Sequence, residues 1–464
     1  MRIAKFAFGI AVLAAPLAAA ADGAGNSSYP PVPVTQTEFL FDDYAPVPPE
    51  PGKAAAEQGA ASSAANAGQV ADEAYGACQS CEPRGPRCPG EDPWRLIRCK
   101  PAGFDIYGWV NGGIMMNPDD PLSDFNGPVT FADMDDFQMN QLYLVAEKTI
   151  DTGGCPSWDI GGRVDVLFGT DARFTKAAGW ELDPAFADDW NDPNHDYQIS
   201  VPQAYGEIGY GDISLKLGKF YTPAGYEVVP AIDNFFYTHA YMQTYAEPFH
   251  HFGGMASWTA SDNWTVLGGL VNGWDAVDRV DDDISYLSGV TYTADDDAFT
   301  VALVYLVGED PNALGVNTDR SLYTVVITIP LSEKWEYVFQ HDHGWQKNVF
   351  GGQANNVDDV EWYGFSNYLY YTINNCWRAG ARLEYFRDDD GVRVVGIDDD
   401  NPYGGGSPGN FWDLTLGLVW TPTANFTMRP EVRWDWYDGE GTLPFDDNTD
   451  SNQFLVGTDM IWQF

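Results

Sequence analysis

From Gln453 to Phe464 the chain alternates between two faces, residue by residue. Phe454, Val456, Met460, Trp462 and Phe464 fall on one side, and Gln453, Gly457, Asp459 and Gln463 on the other. Period two is the mark of a β-strand, whose side chains leave the sheet on opposite faces. A strand with one apolar and one polar face, ending on an aromatic, suits a wall between lipid and a wet lumen. A half-buried strand of a soluble sandwich alternates in the same way, so the rest of the chain has to decide between the two.

The other end favours the membrane. Arg2 and Lys5 precede the apolar run 6–15, and Pro16-Leu17-Ala18-Ala19-Ala20-Ala21 offers small residues at cleavage spacing. Residues 1–21 therefore read as a secretory signal peptide. No later stretch approaches the roughly 18 to 20 uninterrupted apolar residues that a spanning helix needs, so a membrane-embedded product must cross with strands.

With 24 Lys+Arg against 68 Asp+Glu the net charge is −44, which argues against a nucleic-acid partner, because phosphate binding needs a basic face. Aromatic residues make up 15% and there are 48 glycines. Both suit a barrel, with Trp and Tyr in girdles and Gly relieving crowded, bent strands.

Residues 22–103 differ in texture from the rest of the chain. Pro30-Pro31-Val32-Pro33, Pro46-Val47-Pro48-Pro49 and the Ala-rich run 54–65 carry neither period two nor an apolar stripe, so this segment reads as extended, largely disordered and periplasmic. Four cysteines close it, Cys78, Cys81, Cys88 and Cys99. A zinc knuckle would use the same four thiolates, but an oxidising compartment favours disulfides. Cys155 and Cys376 fall at expected short turns on the same side, within reach of that cluster or of each other.

From 104 to 464 one unit repeats: an alternating segment, a tight turn, another segment, then a long acidic or Gly-rich loop. The expected strands are 104–116, 139–149, 157–169, 199–210, 213–220, 249–260, 263–274, 283–294, 298–308, 319–330, 334–345, 360–372, 377–387, 411–422, 425–437 and 452–464. Short turns such as Gly211-Asp212, Ser261-Asp262 and Asn374-Asn375 follow the even strands, and long connections such as 170–198, 221–248 and 388–410 follow the odd ones. The predicted fold is thus an all-β, transmembrane, antiparallel up-and-down barrel of about sixteen strands, with short periplasmic turns, long extracellular loops and both termini periplasmic. Residues 170–198 leave room for one further pair.

The faces follow from charge. In 425–437, Phe426, Met428, Pro430, Val432, Trp434 and Trp436 alternate with Thr427, Arg429, Glu431, Arg433 and Asp435. An Arg or Lys at the bilayer midplane costs about 2 to 4 kcal/mol, so the charged set faces the lumen. The same rule turns Asp159, Arg163, Asp165, Lys216, Arg382 and Glu384 inward. Trp412 and Trp420 bracket Leu414, Leu416 and Leu418 at the spacing of two girdles. A sixteen-stranded barrel leaves an aqueous channel rather than a filled interior.

The loop 221–247 is aromatic and apolar where its neighbours are acidic. Water would not stabilise it, so it should fold inward against the wall and narrow the channel. The acidic runs Asp281-Asp282-Asp283, Asp388-Asp389-Asp390, Asp398-Asp399-Asp400 and Asp446-Asp447 lack the spaced ligands of a calcium loop. They read as solvated charge, with at most weak Ca²⁺ binding and no cofactor. A mouth so charged should mildly prefer cations.

Gly218-Lys219-Phe220-Tyr221-Thr222-Pro223-Ala224-Gly225-Tyr226-Glu227, Tyr241-Met242-Gln243-Thr244-Tyr245-Ala246-Glu247-Pro248-Phe249 and Val271-Asn272-Gly273-Trp274-Asp275 resemble the OmpL-like family of β-barrel porins, in particular those of the planctomycete type, over about 104–464. The resemblance implies an outer-membrane barrel that passes small hydrophilic solutes, without naming one. General porins constrict their pores with the third loop. On that likeness Glu227, Asp233 and Glu247 are candidates for the acidic side of a constriction, and Arg163, Lys216, Arg382, Arg429 and Arg433 for basic wall residues across from them. The bland alternative is that the loop merely caps and the charges pair along the wall. A terminal Phe464 resembles the signal read by the barrel-assembly machinery. Many sixteen-stranded porins are trimers, although no self-complementary face is legible here.

Two rival classes stand beside the channel. Barrel hydrolases need Ser or Asp with His at the rim, and His195, His239, His250, His251, His341 and His343 have no readable partner motif; the pairs His250-His251 and His341, His343 would equally suit a metal. A non-conducting structural or surface-lattice barrel with a closed lumen is the other, and conductance separates it from the channel.

Overall fold

Alternation along the chain becomes one closed antiparallel sheet. The computed structural model describes residues 93–97, 100–132, 136–152, 157–182, 195–278, 284–311, 317–347, 349, 359–394 and 406–464. Its strands are β1 (Asp105–Met116), β2 (Phe137–Lys148), β3 (Trp158–Gly169), β4 (Gln198–Ser200), β5 (Ala204–Tyr210), β6 (Ile213–Tyr221), β7 (His250–Ser261), β8 (Trp264–Val271), β9 (Ser285–Thr293), β10 (Thr300–Pro311), β11 (Asn317–Pro330), β12 (Trp335–Lys347), β13 (Asp359–Asn374), β14 (Trp377–Asp388), β15 (Gly409–Thr423), β16 (Phe426–Gly439) and β17 (Asn452–Gln463). β4 and β5 both ladder onto β3 as two pieces of one stave, so seventeen segments make a barrel of sixteen.

That broken stave was expected as a single run, 199–210. Pro202 lies in the gap and lacks the N–H that a ladder needs. Gln203 bridges the break instead: its carbonyl accepts from the Asp165 N–H at 2.9 Å, and its Nε2 donates to the Asp165 carboxylate at 3.0 Å. A second departure is the connection between β10 and β11, where pairing continues to Pro311↔Asn317. The expected long loop there shrinks to residues 312–316.

The seam joins the two ends of the sheet. β1 pairs with β17 from Trp109↔Gln463 to Met116↔Val456. Beyond it the Phe464 N–H donates to the Gly108 carbonyl at 2.8 Å and the Gly108 N–H to the Phe464 carbonyl at 3.0 Å. On the inner side Asn111 Nδ2 donates to the Asp459 carboxylate at 2.6 Å.

Outside, Phe454, Met460 and Trp462 are exposed, as are Leu416 and Leu418, while Gln453, Leu455 and Asp459 are buried within. The outer wall carries two aromatic belts. Near the short turns Trp158 packs on Tyr210 at 4.8 Å, Trp335 on Tyr371 at 4.5 Å and Trp377 on Trp420 at 5.7 Å. Near the long loops Tyr385 packs on Trp412 at 4.7 Å, and Trp412 on Trp436 at 5.8 Å. Belts of this kind mark the two edges of an apolar band. Among the described residues no helix is long and apolar enough to cross a membrane.

Candidate functional site

The connection from β6 to β7, residues 222–249, runs inside the barrel. It is irregular apart from a 3-10 turn (Ala231–Asp233) and a π-helical turn (Met242–Ala246). Irregular backbone shut away from water needs partners for its N–H and C=O groups. The wall supplies them. Glu431 accepts from the Tyr237 N–H at 2.7 Å and the Thr238 N–H at 3.0 Å, and Glu384 from the Tyr241 and Met242 N–H groups at 2.6 and 2.8 Å. Arg429 donates to the carbonyls of Ala231 and Asn234 at 2.9 and 2.7 Å, Arg382 to that of Thr238 at 2.8 Å and Arg433 to that of His239 at 2.7 Å.

Each of these arginines is also neutralised. Arg382 meets Glu227 and Asp413, both at 2.8 Å; Arg433 meets Asp435 at 2.7 Å; Arg429 is paired with Asp459. Of the acidic and basic sides expected across a gap, Glu227 and Arg382 thus meet as a buried pair, while Arg429 and Arg433 pair along the wall. Arg382, Arg433, Glu384 and Asp435 are 0% exposed, because the loop lies directly on them. His239 sits among the three guanidiniums; burial, reinforced by their charge, holds its imidazole well below its ordinary value, so it is neutral.

Packing is cut to the same loop. A Cβ at Gly380 would stand 2.5 Å from the Phe235 ring, at Gly364 2.8 Å from the Met242 sulfur and at Gly417 3.1 Å from the Phe236 ring. These three glycines are notches in the wall. At the loop's far end Gln340 Nε2 donates to Glu247 at 2.5 Å and to both Asp342 oxygens at 3.1 and 3.0 Å. The Trp362 indole donates to the Ala246 carbonyl at 3.2 Å, and Gln141 on β2 donates to that of Val229 at 2.7 Å.

A strand barrel of this size with a long loop bound within it is an architecture of outer-membrane channels, and the sequence carries the same signature. Residues 103–464 match the family described as "Putative beta-barrel porin-2, OmpL-like". The chain belongs to that family. This porin-family chain is similar in fold to the anion-selective porin from Comamonas acidovorans, at 10% identity over 78% of this chain and 99% of that one, with a TM-score of 0.50. The outer membrane channel DcaP of Acinetobacter baumannii aligns at 12% identity over 81% and 100% of the two chains, TM-score 0.49. The trimer form of OmpT from Vibrio cholerae aligns at 11% identity over 78% and 99%, TM-score 0.48. No curated protein sequence matches the chain significantly.

The remaining expected site residues of this porin-family barrel lie nearer the short turns. Arg163 pairs with Asp165 at 2.8 Å and Glu147 at 3.1 Å. Lys216 is half-buried with its Nζ 5.0 Å over the Tyr205 ring, and Asp159 meets Lys148 at 3.3 Å. Asp233 closes the 3-10 turn, half-buried. Cys376 is disulfide-bonded; Cys78, Cys81, Cys88, Cys99 and Cys155 lie outside the described residues, as do Asp281-Asp282-Asp283 and Asp398-Asp399-Asp400.

One expectation needs correction. Asp388 was read as solvated charge, yet it is 0% exposed. Its carboxylate accepts the N–H groups of Gly391, Val392, Arg393 and Val394 at 2.7 to 3.2 Å, so it nucleates the loop after β14. His250 and His251 open β7. Both are buried, with His250 Nε2 3.1 Å from the Thr175 carbonyl and His251 Nδ1 3.0 Å from that of Gly273. His341 and His343 lie on the outer face, against Tyr323 at 3.2 Å and Glu361 at 2.6 Å respectively. Among the described residues no cluster of three or more metal-ligating side chains forms.

Gln340, Gln141 and the three notch glycines were missed from sequence. Their signal was present in the strand pattern, as inward positions carrying an amide or no side chain where charge or bulk is usual.

Proposed function

We propose that the chain forms an outer-membrane channel for passive diffusion of small hydrophilic solutes and ions, with a bore narrowed by loop 222–249. The observation that carries this reading is the binding of the loop's backbone by inward side chains of β12, β14 and β16, since a loop bound in this way sets the free cross-section. With Glu227 paired to Arg382 and Glu247 buried against Asp342, Asp233 supplies the acid side of the bore, and the acidic loops at the mouth make the channel mildly cation-selective. The secretory leader, periplasmic termini, recognition of Phe464 by assembly machinery, disulfides within the 78–99 segment and a homotrimer belong to the same proposal.

One observation favours a second reading, a structural barrel that does not conduct. A contiguous apolar cluster takes in Leu267, Leu287 and Val304 on one side, Tyr241, Met242 and Tyr245 of the loop, and Trp362, Phe386 and Phe411 on the other. Packing of that kind excludes water. Refolded protein in a planar bilayer separates the two. Stable single-channel steps with a cation-selective reversal potential support the channel. A folded barrel that never conducts, but conducts after deletion of residues 232–245, supports the closed form.

A further inference from the structure

In a chain of net charge −44, five of the 24 basic residues fall within 84–100: Arg84, Arg87, Arg95, Arg98 and Lys100. They lead directly into β1. The described part of this segment is fastened to the short-turn rim. The Trp94 N–H donates to Asn425 Oδ1 at 2.8 Å, and Asn425 Nδ2 donates back to the Trp94 carbonyl at 2.8 Å, Asn425 lying in the turn between β15 and β16. The Arg95 guanidinium lies 4.3 Å over the Tyr107 ring. Lys100 Nζ is 2.7 Å from Asp105, both side chains exposed.

Beside these cations the chain offers apolar surface. Trp94, Leu96 and Ile97 are 46%, 62% and 43% exposed. An open cavity of about 350 Å³ lies beside Trp94 and Ile97, lined also by Pro93, Arg95, Lys100, Asp105 and Ile106. Its charged lining is two cations against one carboxylate. Nearby, Phe426 packs on Trp462 at 6.0 Å in the aromatic belt that marks the edge of the bilayer. The segment therefore sits at headgroup depth, where apolar side chains reach acyl chains and long cationic ones reach phosphates.

We propose that this cavity is a headgroup site for an anionic phospholipid of the leaflet at the short-turn rim. Arg95 and Lys100 face the lipid phosphate, and Trp94 and Ile97 take the glycerol and first methylenes. Charge complementarity argues for the anionic class: local cations in a strongly acidic protein recruit it, each such residue strengthening association with an anionic surface about fivefold.

The test uses full-length, detergent-purified protein in native mass spectrometry, titrated with phosphatidylglycerol, with phosphatidylcholine, and with phosphatidylglycerol plus millimolar inorganic phosphate. The expected result is preferential retention of phosphatidylglycerol that free phosphate does not displace. In R95Q/K100Q that preference should fall by tenfold or more, with the heat-modifiable gel shift of the folded barrel unchanged. In W94A, retention of both lipids should fall. Equal retention of the two lipids, or an unchanged preference in R95Q/K100Q, overturns the proposal. Displacement by inorganic phosphate overturns it in favour of a free-anion site.

Discussion

Arg382 on β14 donates to Glu227 of the lumenal loop at 2.8 Å, the guanidinium wholly buried and the carboxylate nearly so. The same guanidinium holds Asp413 of β15 and the Thr238 carbonyl. Wall, loop and neighbouring strand therefore share one buried cation.

Replacing Arg382 by Met leaves Glu227 buried without its guanidinium and Asp413 with Arg433 alone, 3.7 Å away. Breaking such a pair from one side costs about 3 to 5 kcal/mol, and the barrel's own ladder is untouched. The loop should detach before the barrel unfolds. Limited proteolysis within 222–249 should accelerate in Arg382→Met while the heat-modifiable gel shift persists, and an unchanged cleavage rate would show that the pair does not hold the loop.

Filling a notch should have the same effect by steric means. A Cβ at Gly380 already collides with the Phe235 ring, so Gly380→Leu must displace it. Overpacking of this kind costs roughly 1 to 3 kcal/mol. Single-channel conductance should rise relative to the parent protein, whereas Gly206→Leu, where a Cβ meets open space, should leave conductance unchanged.

The loop's far end should respond to pH. Burial, then the nearby Asp342 carboxylate, raises the Glu247 carboxyl well above its ordinary 4.5. A raised acid is protonated in the seated loop, so its stabilisation is complete below the ordinary value and is lost as pH rises through the raised one. Hydrogen exchange of residues 240–249 should therefore speed up toward alkaline pH, beyond the intrinsic base catalysis seen in an unstructured peptide. Glu247→Gln, which cannot ionise, should remove that excess.

Cation preference should be a matter of salt. The acidic mouth acts over about 10 Å at 0.1 M but only about 3 Å at 1 M. Reversal potentials under a fixed concentration ratio should shrink toward zero as total salt rises, and a preference that survives 1 M salt would have to come from the buried constriction instead.

Much of this fold was legible because a strand in a membrane wall carries its address in every second residue. The 425–437 segment, with Arg429, Glu431, Arg433 and Asp435 alternating against Met428, Val432 and Trp434, allows one register and one inside. Pro202 alone interrupted a stave without changing its place. The site was legible in membership but not in geometry. Arg382, Arg429 and Arg433 were recognisable as lumenal, yet period two says nothing about what lies across the lumen. Their partners are carbonyls of a loop about 150 to 200 residues away in the chain. Asp388 misled for a related reason, since an Asp-Asp-Asp run looks solvated until one of its members is seen to cap four backbone amides.

Asp459 makes the seam and the loop depend on one another. It accepts from Asn111 across the seam and is the counter-ion of Arg429, which grips the loop at Ala231 and Asn234. Asn111 and Asp459 are 348 residues apart, and contacts so remote in sequence form late because the entropy of bringing them together comes first. One carboxylate thus serves both the closure of β1 on β17 and the grip on the loop through Arg429. Loosening either contact should be felt at the other, so the seam and the furnishing of the interior are coupled through Asp459.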